Sequence, residues 1–200
     1  MKRIFTRSLS ALLALVLALG VATPAMAATY RPGAQSGPSG SYAGSRYYEN
    51  YKRVPITGDG RTDLVAIALS QLGYQEGNAN GNFSGTASGR YNYVEFSNNM
   101  GDLGLGYGGS DYPWCASFVS WCLYQSHNTD QNTWKDLGRY HVGDYQYIWK
   151  EISCSQWVRQ LKGAGYYKYS KYEGGSYTPK YGDLVFFQNS GGVAHIGICL

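Results

Sequence analysis

The sequence predicts an α+β domain. Segments with apolar residues at helical spacing, around 62–73, 113–124 and 154–165, precede two β-branched and aromatic runs, LVFFQ at 184–188 and VAHIGICL at 193–200. The runs flank Asn189-Ser190-Gly191-Gly192, a four-residue connection of hairpin composition, so helices come first and an antiparallel pair follows.

Two segments of other kinds lie in front. Residues 1–27, MKRIFTRSLSALLALVLALGVATPAMA, join a positive start (Lys2, Arg3, Arg7), an apolar stretch from Leu9 to Val21 and a small-residue site at Ala25-Met26-Ala27. That is the pattern of a secretory signal peptide, and its apolar stretch of about 13 residues is shorter than the roughly 20 a bilayer span needs. Export is expected, with a mature protein beginning near Ala28 and no stable membrane anchor in this segment. Three of the four net positive charges lie in the leader, leaving +1 on the rest. A nucleic-acid partner needs a clustered basic footprint, so that class is excluded. Residues 28–60 (among them YRPGAQSGPSGSYAGSRYYENY) are poor in aliphatics and rich in Gly, Ser and Tyr, which predicts a flexible linker. The domain proper then covers residues 61–200, long enough for a core.

TDLVAIALSQLG, residues 62–73, has Thr62 as its candidate N-cap, Leu64, Val65, Ala68 and Leu72 on one stripe, and Gly73 where a helix stops. From Gly77 to Gly109 the chain is punctuated by Gly and Asn and reads as a long irregular stretch. In DYPWCASFVSWC, residues 111–122, Asp111 or Tyr112 suits the cap and Pro113 the first turn. Beyond it nearly every position is apolar, with Ser117, Ser120 and Tyr124 as the only polar stripe, so this helix should be surrounded by protein. CSQWVRQLKGAG, 154–165, places Trp157, Val158 and Leu161 on one face, with Gly163 or Gly165 to end it. In the last strand Ala194, Ile196, Ile198 and Leu200 alternate with Val193, His195, Gly197 and Cys199. Both faces are mostly apolar, so His195 is expected to point into covered space.

Four cysteines in an exported chain raise the question of disulfides. Cys115 and Cys122 would lie about 10 Å apart on one helix, beyond the roughly 7 Å a disulfide tolerates. No cysteine pair has zinc-knuckle spacing and His127 and His141 fit no ligand pattern, so no metal is expected.

Cys115 stands out because a thiol in the first turn of a helix meets the positive end of the dipole and unpaired N–H groups, which favour the nucleophilic thiolate. Cys122 reads as a small core residue on the same helix. His195 supplies a group able to take a proton from a thiol and return it to a leaving amine, although a hydrogen-bonded core histidine is the plainer reading of its position.

PWCASFVSWC followed by YGDLVFFQNSGGVAHIGICL, with VAIALSQLGYQEG at 65–77, resembles the CHAP family of cysteine, histidine-dependent amidohydrolases and peptidases, within the papain-like bacterial cell-wall hydrolases. The resemblance spans about Arg61 to Leu200. It implies a papain-like α+β domain in which the nucleophile helix packs on an antiparallel sheet. Cys115 matches the nucleophile and His195 the general base and acid. The implied activity is hydrolysis of an amide in peptidoglycan, either as an N-acetylmuramoyl-L-alanine amidase or as an endopeptidase of the stem or cross-bridge, by a protein secreted to the cell wall and needing no cofactor. Two other readings stay open: a wall-binding module that does not cleave, and an acyl or transpeptidyl transferase on the same dyad.

The family's third residue, which orients the histidine, lies on the strand after the His motif. The chain is therefore expected to be truncated at its C-terminus, with later strands and the orienter beyond Leu200. Within the chain, pairing Gln188 with Val193 would set Phe186 opposite His195, make Asp183 a turn residue and leave Gln188 a weak substitute orienter. Glu76, Asp102 and Asp111 read as solvated charges or caps. The Cys115 amide is the natural oxyanion donor. Tyr107, Tyr112 and Trp114 offer ring faces near the cleft mouth, or plain packing. If Cys115 and His195 are paired on a parallel helix and strand, Cys122 and Cys199 also come near each other, which leaves a cross-link between them open.

Overall fold

A single buried helix organises the fold. The computed structural model describes residues 26–27, 29–30, 37–102, 112–126, 139–142, 146–149 and 151–200, and the predicted residues Tyr107, Asp111 and His127 lie outside these. In chain order the elements are β1 (Met26–Ala27), α1 (Gly40–Ala43), α2 (Arg46–Lys52), β2 (Pro55–Ile56), α3 (Gly60–Ser70), α4 (Glu95–Asp102), α5 (Cys115–Ser126), β3 (Arg139–Val142), β4 (Gln146–Trp149), α6 (Cys154–Gly163), a 3-10 turn (Lys171–Glu173), β5 (Leu184–Asn189) and β6 (Gly192–Ile198). The strands pair antiparallel as β1–β2, β3–β4 and β5–β6, and the α+β class holds. No helix among the described residues is long and apolar enough to cross a membrane.

The buried helix is α5, apolar almost all round as such a helix must be. From Val119 to Ser126 every residue is buried, and the helix packs against α3, α4 and β6. Its polar stripe is buried as well. The Ser120 hydroxyl bonds the Glu151 carbonyl and accepts the Glu151 N–H at 3.3 Å, fastening the chain ahead of α6 to α5.

α3 starts earlier than its pattern suggested. Asp59, not Thr62, is the N-cap, and its carboxylate accepts the Thr62 N–H at 2.8 Å. Leu64, Val65 and Ile67 form the buried face, whereas Leu72 lies past the helix end and is 78% exposed. The stretch expected to be irregular contains α4, with Val94 and Phe96 fully buried at its start. Its Asn- and Gly-rich sequence has little intrinsic helix preference, so packing on α5 decides the conformation. The loop before it is pinned where Gly89 meets Gly77. A Cβ at Gly89 would fall 1.9 Å from the Gly77 oxygen, which only glycine avoids.

From residue 37 onward the expected linker is folded. Within residues 28–60, Ser39 and Ser45 cap α1 and α2, and Tyr42, Tyr47 and Tyr51 reach the core with 0, 1 and 0% exposure. Each phenol finds an acceptor: Tyr42 on Gln71 at 3.0 Å, Tyr51 on Gln125 at 3.1 Å, Tyr47 on the Gly73 carbonyl. Counting aliphatics missed this because tyrosine supplies apolar ring area and a polar tip that the core satisfies. Buried Glu95 accepts the Tyr30 hydroxyl at 2.7 Å and the Ser39 N–H at 3.1 Å, so the segment is tied down at its front as well.

α6 matches its pattern, with Ser153 as cap and Trp157, Val158 and Leu161 buried. The β5–β6 hairpin forms with a tighter turn than expected. Asn189 pairs with Gly192, leaving two residues in the connection, and a bulge after the Gln188–Val193 pair sets Phe187, not Phe186, opposite His195. One face of β6 meets the core through Ile196, 2% exposed, while His195 on the other face is exposed rather than covered. The β3–β4 hairpin had no counterpart in the sequence pattern.

Candidate active site

Trp114 sets the start of α5. Its carbonyl accepts the Phe118 N–H at 2.8 Å, so it occupies the cap position and Pro113 lies just outside the helix rather than in its first turn. The indole is caged by Tyr74, Phe96 and Phe118 and donates to Glu76 at 3.3 Å. Glu76 is thus a structural acceptor, which also takes the Asn92 N–H at 2.8 Å. The next residue, Cys115, opens the helix with its thiol half-buried.

Cys115 meets three groups. Its Sγ lies 3.5 Å from Cys154 Sγ, and its other neighbours are the His195 side chain and the Ile196 N–H on β6. Hydrogen bonding from Cys154 is the chief influence holding the Cys115 thiol down, to about 5, against the opposing effect of burial; the Ile196 N–H and His195 add to it. The same contact pushes Cys154 up, with burial acting in the same direction. The contact therefore favours the thiolate form of Cys115 and the thiol form of Cys154. Cys122 is fully buried, which raises its thiol, and Cys199 is half-buried near Leu200; all four cysteines are free, so no cross-link joins Cys122 to Cys199.

The structure thus brings together Cys115 and His195, the two residues singled out in the sequence, and adds Cys154. Cys154 opens α6 as Cys115 opens α5, and this repeated placement was the available signal. Both helices pack against β6, and the Ser120–Glu151 contact ties the chain ahead of α6 to α5. Glu151 then accepts the Ile152 and Ser153 N–H groups at 2.9 and 3.0 Å, fixing the turn into α6. Ser120→Ala removes both bonds from a buried position and should cost about 1–3 kcal/mol, read as a lower urea midpoint.

Gln188, the in-chain substitute, is engaged elsewhere, and so is Asp183. Gln188 donates to Glu173 at 3.0 Å, and Asp183 pairs with Arg61 at 2.6 Å while accepting the Tyr177 hydroxyl and the Lys180 N–H. Among the described residues the Phe187 ring also meets the imidazole, 5.8 Å between centroids. Tyr112 approaches the Ser117 hydroxyl at 3.4 Å and Trp114 is packed in its cage, so both serve the helix start.

Because the thiolate is the reactive form, alkylation of Cys115 by iodoacetamide should stay fast from neutral pH down to about 5 and fall below it. Cys122 should stay unlabelled in the folded protein. Cys154→Ala removes the largest influence lowering Cys115, so the same profile should move to higher pH; peptide mapping across a pH series reads both effects.

A half-buried thiol beside an imidazole, on a helix start facing a β-strand, is the arrangement used by cysteine-dependent amide hydrolases. Residues 107–200, which carry α5, α6 and the β5–β6 hairpin, match the family model of the CHAP domain. The match is shorter than the resemblance drawn over 61–200. No curated protein and no solved structure matches the chain. CHAP domains are typically cysteine- and histidine-dependent amidohydrolases of the peptidoglycan-hydrolase type, and the mixed helix and sheet architecture is consistent with their papain-like fold.

Proposed function

We propose that the protein hydrolyses an amide bond of peptidoglycan with Cys115 as nucleophile and His195 as general base and acid. One observation carries this: the thiol most favoured as thiolate sits beside the one histidine of the β5–β6 hairpin, in the part of the chain that matches the CHAP family model. The Cys115 thiol passes its proton to His195 and its sulfur attacks the carbonyl carbon, and the backbone N–H groups at the start of α5, Cys115's among them, face the developing oxyanion. The C–N bond breaks as His195 hands a proton to the departing amine. Water, deprotonated by His195, then adds to the thioester, and the acid leaves with the thiolate restored. His195 stands exposed, open to the incoming water and the leaving amine.

The bond is either the link between muramic acid and L-alanine or one within the stem peptide or cross-bridge. Incubation with purified walls followed by mass spectrometry of soluble fragments names it. New amines and water-terminated muropeptides are expected. Fragments joined to an added amine would instead mark a transferase, and sedimentation with walls without release would mark a binding module.

Export to the cell wall belongs to the same reading and rests on residues 1–27. N-terminal sequencing of protein from the culture medium should begin at or near Ala28. Such cleavage removes β1, whose two residues pair with Pro55 and Ile56, and leaves Tyr30 and the α1–α2 tyrosines in place. A cell-retained protein still starting at Met1 would overturn it.

A further inference from the structure

The mechanism above leaves Cys154 without a role, although its sulfur lies beside that of the nucleophile. The two sulfurs are 3.5 Å apart and unbonded, and they come from helix starts 39 residues apart in the chain. A disulfide needs about 2.05 Å between sulfurs, so side-chain rotation of both residues closes most of the gap without moving either helix far. The helices are held in place independently of the thiols, through Ser120 on α5 and Glu151 ahead of α6. Both thiols are half-buried, within reach of a small reagent, whereas Cys122 is sealed in the core.

We propose that Cys115 and Cys154 form a reversible disulfide by exchange with a low-molecular-weight disulfide, and that this bond switches the nucleophile off. The Cys115 thiolate attacks one sulfur of the reagent, forming a mixed disulfide and releasing the first reagent thiolate. Cys154 gives up its proton to that thiolate and attacks the Cys115 sulfur, releasing the second. Two protein thiols are oxidised and one reagent disulfide is reduced to two thiols, with no other reactant needed. The favoured form of each residue suits these steps, since Cys115 is the attacking sulfur and Cys154 the one that resolves. Cys154 also protects Cys115, because an intramolecular bond forms before further reagent or oxidant accumulates on the nucleophile. The consequence for hydrolysis rests on Cys115 being the nucleophile; the pairing does not.

The test treats the whole protein with oxidised glutathione, alkylates remaining thiols and maps peptides without reduction. The expected product is a Cys115–Cys154 cross-link lacking glutathione, with wall hydrolysis at background and restored by dithiothreitol. In Cys154→Ser the same treatment should leave glutathione attached to Cys115. Glutathione on Cys115 of the wild type with Cys154 still alkylatable, or no modification of either residue, overturns the proposal, and this wild-type result stands even if the variant fails to fold. A cross-link with undiminished wall hydrolysis also overturns the switch, and places the failure in the assignment of the nucleophile rather than in the pairing.

Discussion

Cys115→Ala should reduce wall hydrolysis to background while the protein still folds. Removing the nucleophile of a comparable covalent hydrolase lowers kcat on the order of 10⁶-fold, and removing its histidine costs about as much because the two act as a unit. His195→Ala should therefore match Cys115→Ala, and the double variant should be no worse than either. Folding is expected to survive because Cys115 is half-buried at a helix start and His195 is exposed, so neither change opens a core cavity. Turnover is read by release of soluble muropeptides and folding by circular dichroism. A Cys115→Ala protein that releases fragments at the wild-type rate removes the proposed mechanism. A His195→Ala protein that does so would leave the thiol with another base.

Deleting residues 28–54 should unfold the domain, although their composition reads as a linker and the family match begins only at residue 107. Tyr42, Tyr47 and Tyr51 are all but fully buried, and Tyr51 packs on Trp121 with ring centroids 5.8 Å apart. Truncating one large buried aromatic costs about 3–5 kcal/mol, and three together approach or exceed the roughly 5–15 kcal/mol that holds a whole domain folded. The deletion also uncovers Trp121, which would promote aggregation. A milder probe is Tyr51→Ala, which alone should lower the thermal midpoint by roughly 10 °C. A deleted chain that stays soluble and melts with the parent would show that the tyrosines add nothing to the core.

The readings that held from sequence rest on local pattern. The near-continuous apolar run of 116–123 determines that α5 is surrounded, because no exposed helix can carry apolar residues all round. The change of period after residue 183, with Asn and Gly at the turn, determines the hairpin. Cys115 and His195 were singled out because of where they lie, a helix start and a strand late in the chain, and the fold sets the two side by side.

What the tertiary structure alone decided depends on partners distant in sequence. A tyrosine becomes a core residue only when an acceptor waits for its hydroxyl, and Gln125, which takes that of Tyr51, lies 74 residues away. A bulge of one residue, invisible in strand alternation, moved Phe187 rather than Phe186 opposite His195 and left the imidazole on the open face. Cys154 stands 39 residues from Cys115, and nothing in the spacing of the two relates them. Their meeting follows from the packing of both helices on β6, tied further by a serine buried on one helix and a backbone group before the next. Burial makes that hydrogen bond costly to lose.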